Sequence, residues 1–446
     1  MTTGLRLVSK HRALLAAGCI AALAALLIVL DTTGQAGATG GPDVTVFSFT
    51  DVHSWGSADG FVGYSIGTVS CNRGDTPINW CNVNGGCAPG ATTNDHPVIA
   101  QNLYRLKNGR FDQIGMSWLK HGFFSTNQVS ASCTGTSGHT CTTPPAGSAQ
   151  LGIGCTDAYS GNLNGGQPLR RRSEVNATTG DFPFPGSTVA GPYTVYDERV
   201  KVATADVDPA QNAGATYYAE GQYIAADDAA AGNALNNASY RRVTVGNGAT
   251  YPLTMTGAFF EQQPAILAWA AQDPTVLVVN VDVPGAIVER YHVARKVTDL
   301  GGGLWHYEFA VHNMNSSRSA RAFTVEFPGA TGFTNVGFKG IPDHSGEPYA
   351  TDDWVPSTAA NSVTWSTATF ATNANAHALR WATMFNFWFD ADQPPASATV
   401  HTLALFTPGD PATVDFPIVN ELVRDSFESG DLSLWSAAAA AGRPAG

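Results

Sequence analysis

Apolar positions along this chain recur in short alternating or β-branched runs punctuated by Gly, Pro, Asn and Asp. That pattern predicts strands joined by turns rather than amphipathic helices. Residues 98–106 and 111–119 flank Lys107, Asn108, Gly109 and Arg110. An Asn-Gly between two apolar runs predicts a hairpin, because both residues tolerate the positive φ of a tight turn. Residues 193–203 alternate, 240–255 contain a second Asn-Gly at Asn247 and Gly248, and 276–283 are β-branched between Pro274 and Pro284. Residues 287–297 and 304–311 flank the turn-rich segment 299–303 and read as another hairpin. Residues 321–327, 379–389 and 399–406 complete a set of at least eight candidate strands. One short Ala-rich stretch, 227–235, is the helical candidate. The expected fold is mainly β, with a loop-rich, disulfide-stapled domain over 39–190 and a β-sandwich-like domain over 191–425.

Composition supports this reading. Charged residues are 13% of the 446, about half the usual share, while Gly (47) and Pro (25) are plentiful. The apolar fraction of 43% is near the globular norm, so low charge does not signal disorder.

The N-terminus reads as an export signal. Arg6, Lys10 and Arg12 precede an uncharged apolar run, residues 13–30, followed by Ala36, Gly37 and Ala38. A signal peptide over 1–38, cleaved after Ala38, is expected. The competing reading is an uncleaved anchor, since the run is just long enough to cross a bilayer, and the Ala-x-Ala favours cleavage. Cys19 does not fit a lipoprotein site, because the apolar run continues well past it. No second long apolar run follows, so no membrane span is expected after signal removal, and the expected location is extracellular or periplasmic. The polar and Ala-rich end, 426–446, is expected to be weakly ordered.

Six cysteines follow Cys19, at Cys71, Cys81, Cys87, Cys133, Cys141 and Cys155, and none lies beyond them. In an exported chain an even count implies three disulfides, with the connectivity open, and the spacings lack the close pairs of a zinc site. Without residues 1–38 the chain keeps 21 basic and 35 acidic residues, a net charge of −14. That excess repels phosphates and argues against a nucleic-acid partner.

Four runs carry a resemblance: Gln113 to His121, Ala219 to Asp228, His312 to Arg318 and Leu379 to Asp392. They resemble runs in a group of uncharacterised secreted bacterial β-rich proteins. The resemblance covers most of the mature chain and implies export and a β-rich fold, but no activity, ligand or functional residue. Asp425 to Trp435 is similar to a short segment that ends many bacterial secreted proteins with unrelated bodies.

Candidate chemistry is sparse. Gly63, Tyr64, Ser65, Ile66 and Gly67 match Gly-x-Ser-x-Gly, but no helix is predicted after them, and a Gly-rich turn is the expected reading. Asp51-Val-His53, Gly74-Asp75 and Asn94-Asp95-His96 follow the order of a metallophosphatase-like set, with no later Gly-x-His-x-His; the plainer expectation is that Asp51 and Asp95 serve turns. His53, His96, His121 and His139 all fall in the stapled region, and three imidazoles there are a candidate zinc or copper set. Asp343, His344, Ser345, Gly346 and Glu347 read as a turn, and the pairs Asp206/Asp208 and Asp390/Asp392 lack the spacing of a calcium loop. Trp381, Phe385, Phe387 and Phe389 read as a buried strand face rather than a sugar platform. No cofactor motif is legible. The favoured function is a secreted, non-catalytic protein that binds a glycan, polymer or cell-envelope component. The alternative is a secreted metal-dependent hydrolase or oxidase built on Asp51, His53, His96 and His121.

Overall fold

The computed structural model describes residues 40–81, 86–395 and 399–418. The expected signal peptide, Cys19, the tail and the segment Asp425 to Trp435 lie outside those residues. The fold is mainly β. Its strands of four or more residues are β1 (Val44–Ala58), β2 (Phe61–Asn72), β3 (Val98–Lys107), β4 (Arg110–Met116), β5 (Cys155–Tyr159), β6 (Val200–Ala203), β7 (Thr216–Ile224), β8 (Ala238–Val245) and β9 (Leu253–Phe260) in the first part. Then follow β10 (Leu277–Val283), β11 (Glu289–Gly301), β12 (Leu304–Asn313), β13 (Ala320–Glu326), β14 (Phe333–Lys339), β15 (Val355–Ala359), β16 (Ser362–Ser366), β17 (Thr383–Ala391), β18 (Val400–Leu405) and β19 (Thr413–Pro417).

The first sheet runs β9-β8-β7-β3-β4-β6-β2-β5 and ends on the short strand Gln128–Val129, with β1 paired to β2 and Lys120–His121 paired to β3. It curls so that β1 lies over β7 and β9. Phe49 meets Phe259 edge-on at 5.0 Å, and Ser54 donates to the Thr250 carbonyl at 2.9 Å. Gly221 allows this close approach, since a Cβ there would crowd Thr68 and Phe49 at 3.1 and 3.2 Å. The sheet continues past residue 190: β6 to β9 come from the cysteine-free part of the chain. The last cysteine therefore marks where stapling ends, not where this sheet ends.

Residues 277–418 form a sandwich of two sheets, β10-β11-β12-β17-β14 and β15-β16-β13-β18-β19. Alternation explains it: Val363 and Trp365 of β16 face inward, and their neighbours are only half-buried. Phe309, Phe323, Trp365, Phe387, Phe389 and Leu403 form its core. The outer face of β11, β12 and β17 packs on the first sheet through Ala294, Ala310 and Met384 against Tyr104, Phe111, Tyr218 and Tyr240.

All six cysteines pair, as Cys71–Cys133, Cys81–Cys87 and Cys141–Cys155. The predicted hairpin is β3–β4, with Asn108 and Gly109 at φ 53° and 81°. The hairpin β11–β12 also forms, turning at Gly302 and Gly303. Several details differ from expectation. Residues 193–203 give a strand only at Val200–Ala203, because the Asp197 carboxylate accepts from the Thr194 amide at 2.7 Å and closes a turn. The Asn247-Gly248 link is a longer loop closed by the Gly246 amide on the Pro252 carbonyl. The predicted helix shrinks to Ala226–Ala230. Gly63 to Gly67 is neither elbow nor turn but the middle of β2. No helix among the described residues is long and apolar enough to cross a membrane.

Candidate binding cleft

The structure separates the four metal candidates. His96 and His121 come together: His96 Nε2 lies 2.6 Å from His121 Nδ1, and Phe123, Phe182 and Phe184 surround the pair. Burial without a carboxylate disfavours charge there, lowering His96 to about 4 and His121 well below its ordinary value. Asp51 lies elsewhere and accepts from the Gly161 amide at 2.8 Å, while His53 stacks edge-on against Trp55. Asp95 closes a turn by accepting from the Thr92 amide, as the plainer reading expected. His139 is exposed. Among the described residues, no three His, Cys, Asp or Glu side chains are placed to share a metal ion.

Ser65 donates to the Gly161 carbonyl at 2.6 Å and accepts from Trp55 Nε1, with no imidazole or carboxylate partner of a nucleophile. Phe385, Phe387 and Phe389 are core residues, whereas Trp381 precedes β17 and packs in a separate cluster, since Ala382 at φ 53° breaks the alternation. Ser345 and Gly346 do form a turn, and Glu347 accepts from the amides of Arg172 and Ser173. A pocket beside it, bounded by Arg172, Asp343, Tyr349 and Arg380, encloses about 10 Å³. That is room for one water at most. Burial raises Asp343 to about 7 there.

Sequence reasoning did not find the residues that join the two parts of the molecule. Glu220 of β7, fully buried, accepts from Asn102 Nδ2 and the Tyr104 hydroxyl, both at 2.8 Å, and from the Ala265 amide at 2.6 Å. Gln113 Oε1 accepts from the Met384 amide at 2.7 Å, and Asn386 Nδ2 donates to the Phe111 carbonyl at 2.9 Å. Arg172 donates to the Ser117, Gln101 and Ala382 carbonyls. Gln113, Glu220 and the segment 382–386 fall in three of the four runs quoted from the sequence. Those runs were the available signal: they meet at this junction.

At one end of the junction lies a cleft of about 400 Å³, lined by Arg105, Lys107, Asn108, Arg110, Asp112, His306, Glu308 and Lys339. The tip of the β3–β4 hairpin forms one wall, and β12 with β14 forms the other. Each lining acid is shared by two basic side chains. Asp112 takes Arg105 at 2.9 Å and Lys339, while Glu308 takes both arms of Arg110 at 2.7 Å and His306 at 3.5 Å. Arg105 also reaches Asp206, and His306 Nδ1 lies 2.5 Å from Asp390. Lys107 bonds only neutral oxygens, the Gln211 carbonyl and Asn212 Oδ1. The hydrogen bond to Glu308, with help from Asp390, raises the His306 pKa. The Arg110 guanidinium also lies 3.7 Å over Trp388, whose ring presses on the Gly337 backbone across the strand pair. That indole is half-buried, with the guanidinium over one face.

No family model matches the chain, and no curated protein matches it. Among solved structures, the chain is similar to a chain of the exo-β-D-glucosaminidase CsxA, described with a glucosamine-configured castanospermine and an amino-australine analogue. The identity is 10%, over 82% of this chain and 26% of that one, with a TM-score of 0.16. The chain thus spans about a quarter of that enzyme chain's length. A likeness this slight carries no argument about fold or activity.

Proposed function

We propose that the protein is a secreted, non-catalytic binding protein that holds a carboxylate-bearing glycan, of an extracellular matrix or cell envelope, in the cleft between its hairpin tip and its sandwich. One observation carries the reading: a cleft of ligand size lined by four cations and two acids, in a chain whose net charge is −12. Lys107, held only by neutral oxygens, leaves positive charge at the cleft wall that attracts an anion. Lys107 and Lys339 present point-charge donors to a carboxylate, and Asn108 both donates to and accepts from sugar hydroxyls. A uronic-acid chain carries one charge per sugar, a lower linear density than the two charged strands of a nucleic-acid duplex, so the acidic remainder of the surface repels it less.

Calorimetric titration with uronic-acid oligomers and with their methyl esters, matched in length, tests this. The acid should bind and the ester should not. Equal binding of both, or of neither, would remove the reading.

A further inference from the structure

Away from the cleft, the packing of the first sheet on the sandwich buries a second cluster of ligand-type side chains. His292 of β11 and His312 of β12 are directly paired across the strands. They are 5% and 1% exposed, and their ring centres lie 5.7 Å apart, tilted by 34°. Both nitrogens of His312 and Nδ1 of His292 are buried without a hydrogen-bond partner. Two residues beyond His312 lies Met314, fully buried. Gln222 of β7 faces it, with Nε2 at 2.9 Å from the Met314 carbonyl and 4.0 Å from its sulfur, and with Oε1 also unpartnered.

Four buried polar atoms without partners call for a guest, since a buried donor or acceptor left bare is costly. We propose that His292, His312 and the Met314 thioether form a buried site for a single copper(I) ion, with Gln222 Oε1 closing it. The ring separation fits. Imidazole nitrogens bind such ions at about 2 Å, which puts each ring centre roughly 3 Å from the ion and two ring centres about 5 to 6 Å apart at angles from tetrahedral to linear. The donor set selects the ion: two neutral imidazoles and a thioether, with no thiolate or ligating carboxylate, suit a soft monovalent cation. A monovalent ion is also the least costly charge to bury, and the Glu220 carboxylate is close enough to act on His312. The nearby Arg290 is neutralised by Asp282 at 2.6 Å. His401 shows what is missing elsewhere: its ring is equally unpartnered, but it sits among Phe309, Phe323 and Phe416 and is opposed by the charge of Arg295.

The test uses the full chain produced with and without copper in the medium. Elemental analysis should find one copper per chain, and X-ray absorption should show three nitrogen or oxygen neighbours and one sulfur at the edge position of the monovalent ion. Met314→Leu, which preserves the packing, should lose the sulfur signal and weaken binding at least tenfold against a copper(I) chelator. His312→Gln should lose the metal altogether. No stoichiometric copper in the wild-type chain would overturn the site, as would copper without a sulfur neighbour or copper unchanged in both variants. The wild-type spectrum decides even if a variant fails to fold.

Discussion

Lys339 and Lys107 are the residues on which the cleft's charge turns, because their ammonium groups are the least neutralised of its cations. Lys339→Ala or Lys107→Ala should weaken uronate binding about tenfold each, and raising the salt concentration should erode the difference; titration calorimetry at two ionic strengths reads both. His306 adds a pH dependence. Its folded pKa is raised, so its positive charge is fully present at mildly acid pH and is lost as pH rises through the raised value. Uronate affinity should therefore climb as pH falls through that raised value, and His306→Gln should flatten the curve. The His96–His121 pair behaves oppositely. Its folded pKa values lie below those of the unfolded chain, so it favours the folded state when neutral and loses that contribution as pH falls from the ordinary 6.5 towards about 4. The stability lost by His96→Gln, followed by denaturant unfolding, should be largest near neutral pH and shrink over that window.

The elements differ in how they are held. The Cys71–Cys133 bridge ties β2 to a loop 62 residues away. Chain entropy alone gives such a closure about 4 kcal/mol. Replacing both cysteines by serine should lower the unfolding free energy of the first sheet, read from urea titration, by an amount of that order. The β3–β4 hairpin was legible because its turn chemistry is local: Asn108 and Gly109 adopt the positive φ that their sequence invites. The β11–β12 hairpin was legible for the same reason. The strand predicted over 193–203 was not, because Asp197 folds back on Thr194, a contact that alternation does not register. The cysteine count foretold three bridges, but their partners depend on which strands become neighbours.

At the scale of the whole molecule, two bodies of sheet are joined by a buried polar seam rather than by apolar contact alone. Glu220 sits at its centre with three donors, so Glu220→Ala should cost at least about 3 kcal/mol by leaving those donors unpaired. The cleft at the seam's end could not be read from sequence, because Arg105, Lys107 and Arg110 come from one body and His306, Glu308 and Lys339 from the other. Along the chain each looks like an ordinary polar position on a strand. The most direct test of the account is a hydrogen-exchange footprint of the full chain with a bound uronic-acid oligomer. Slowed exchange should appear together at the hairpin tip, residues 106–111, and on the facing strands, residues 304–308 and 337–339. Protection confined to one wall, or found only elsewhere on the molecule, would contradict it.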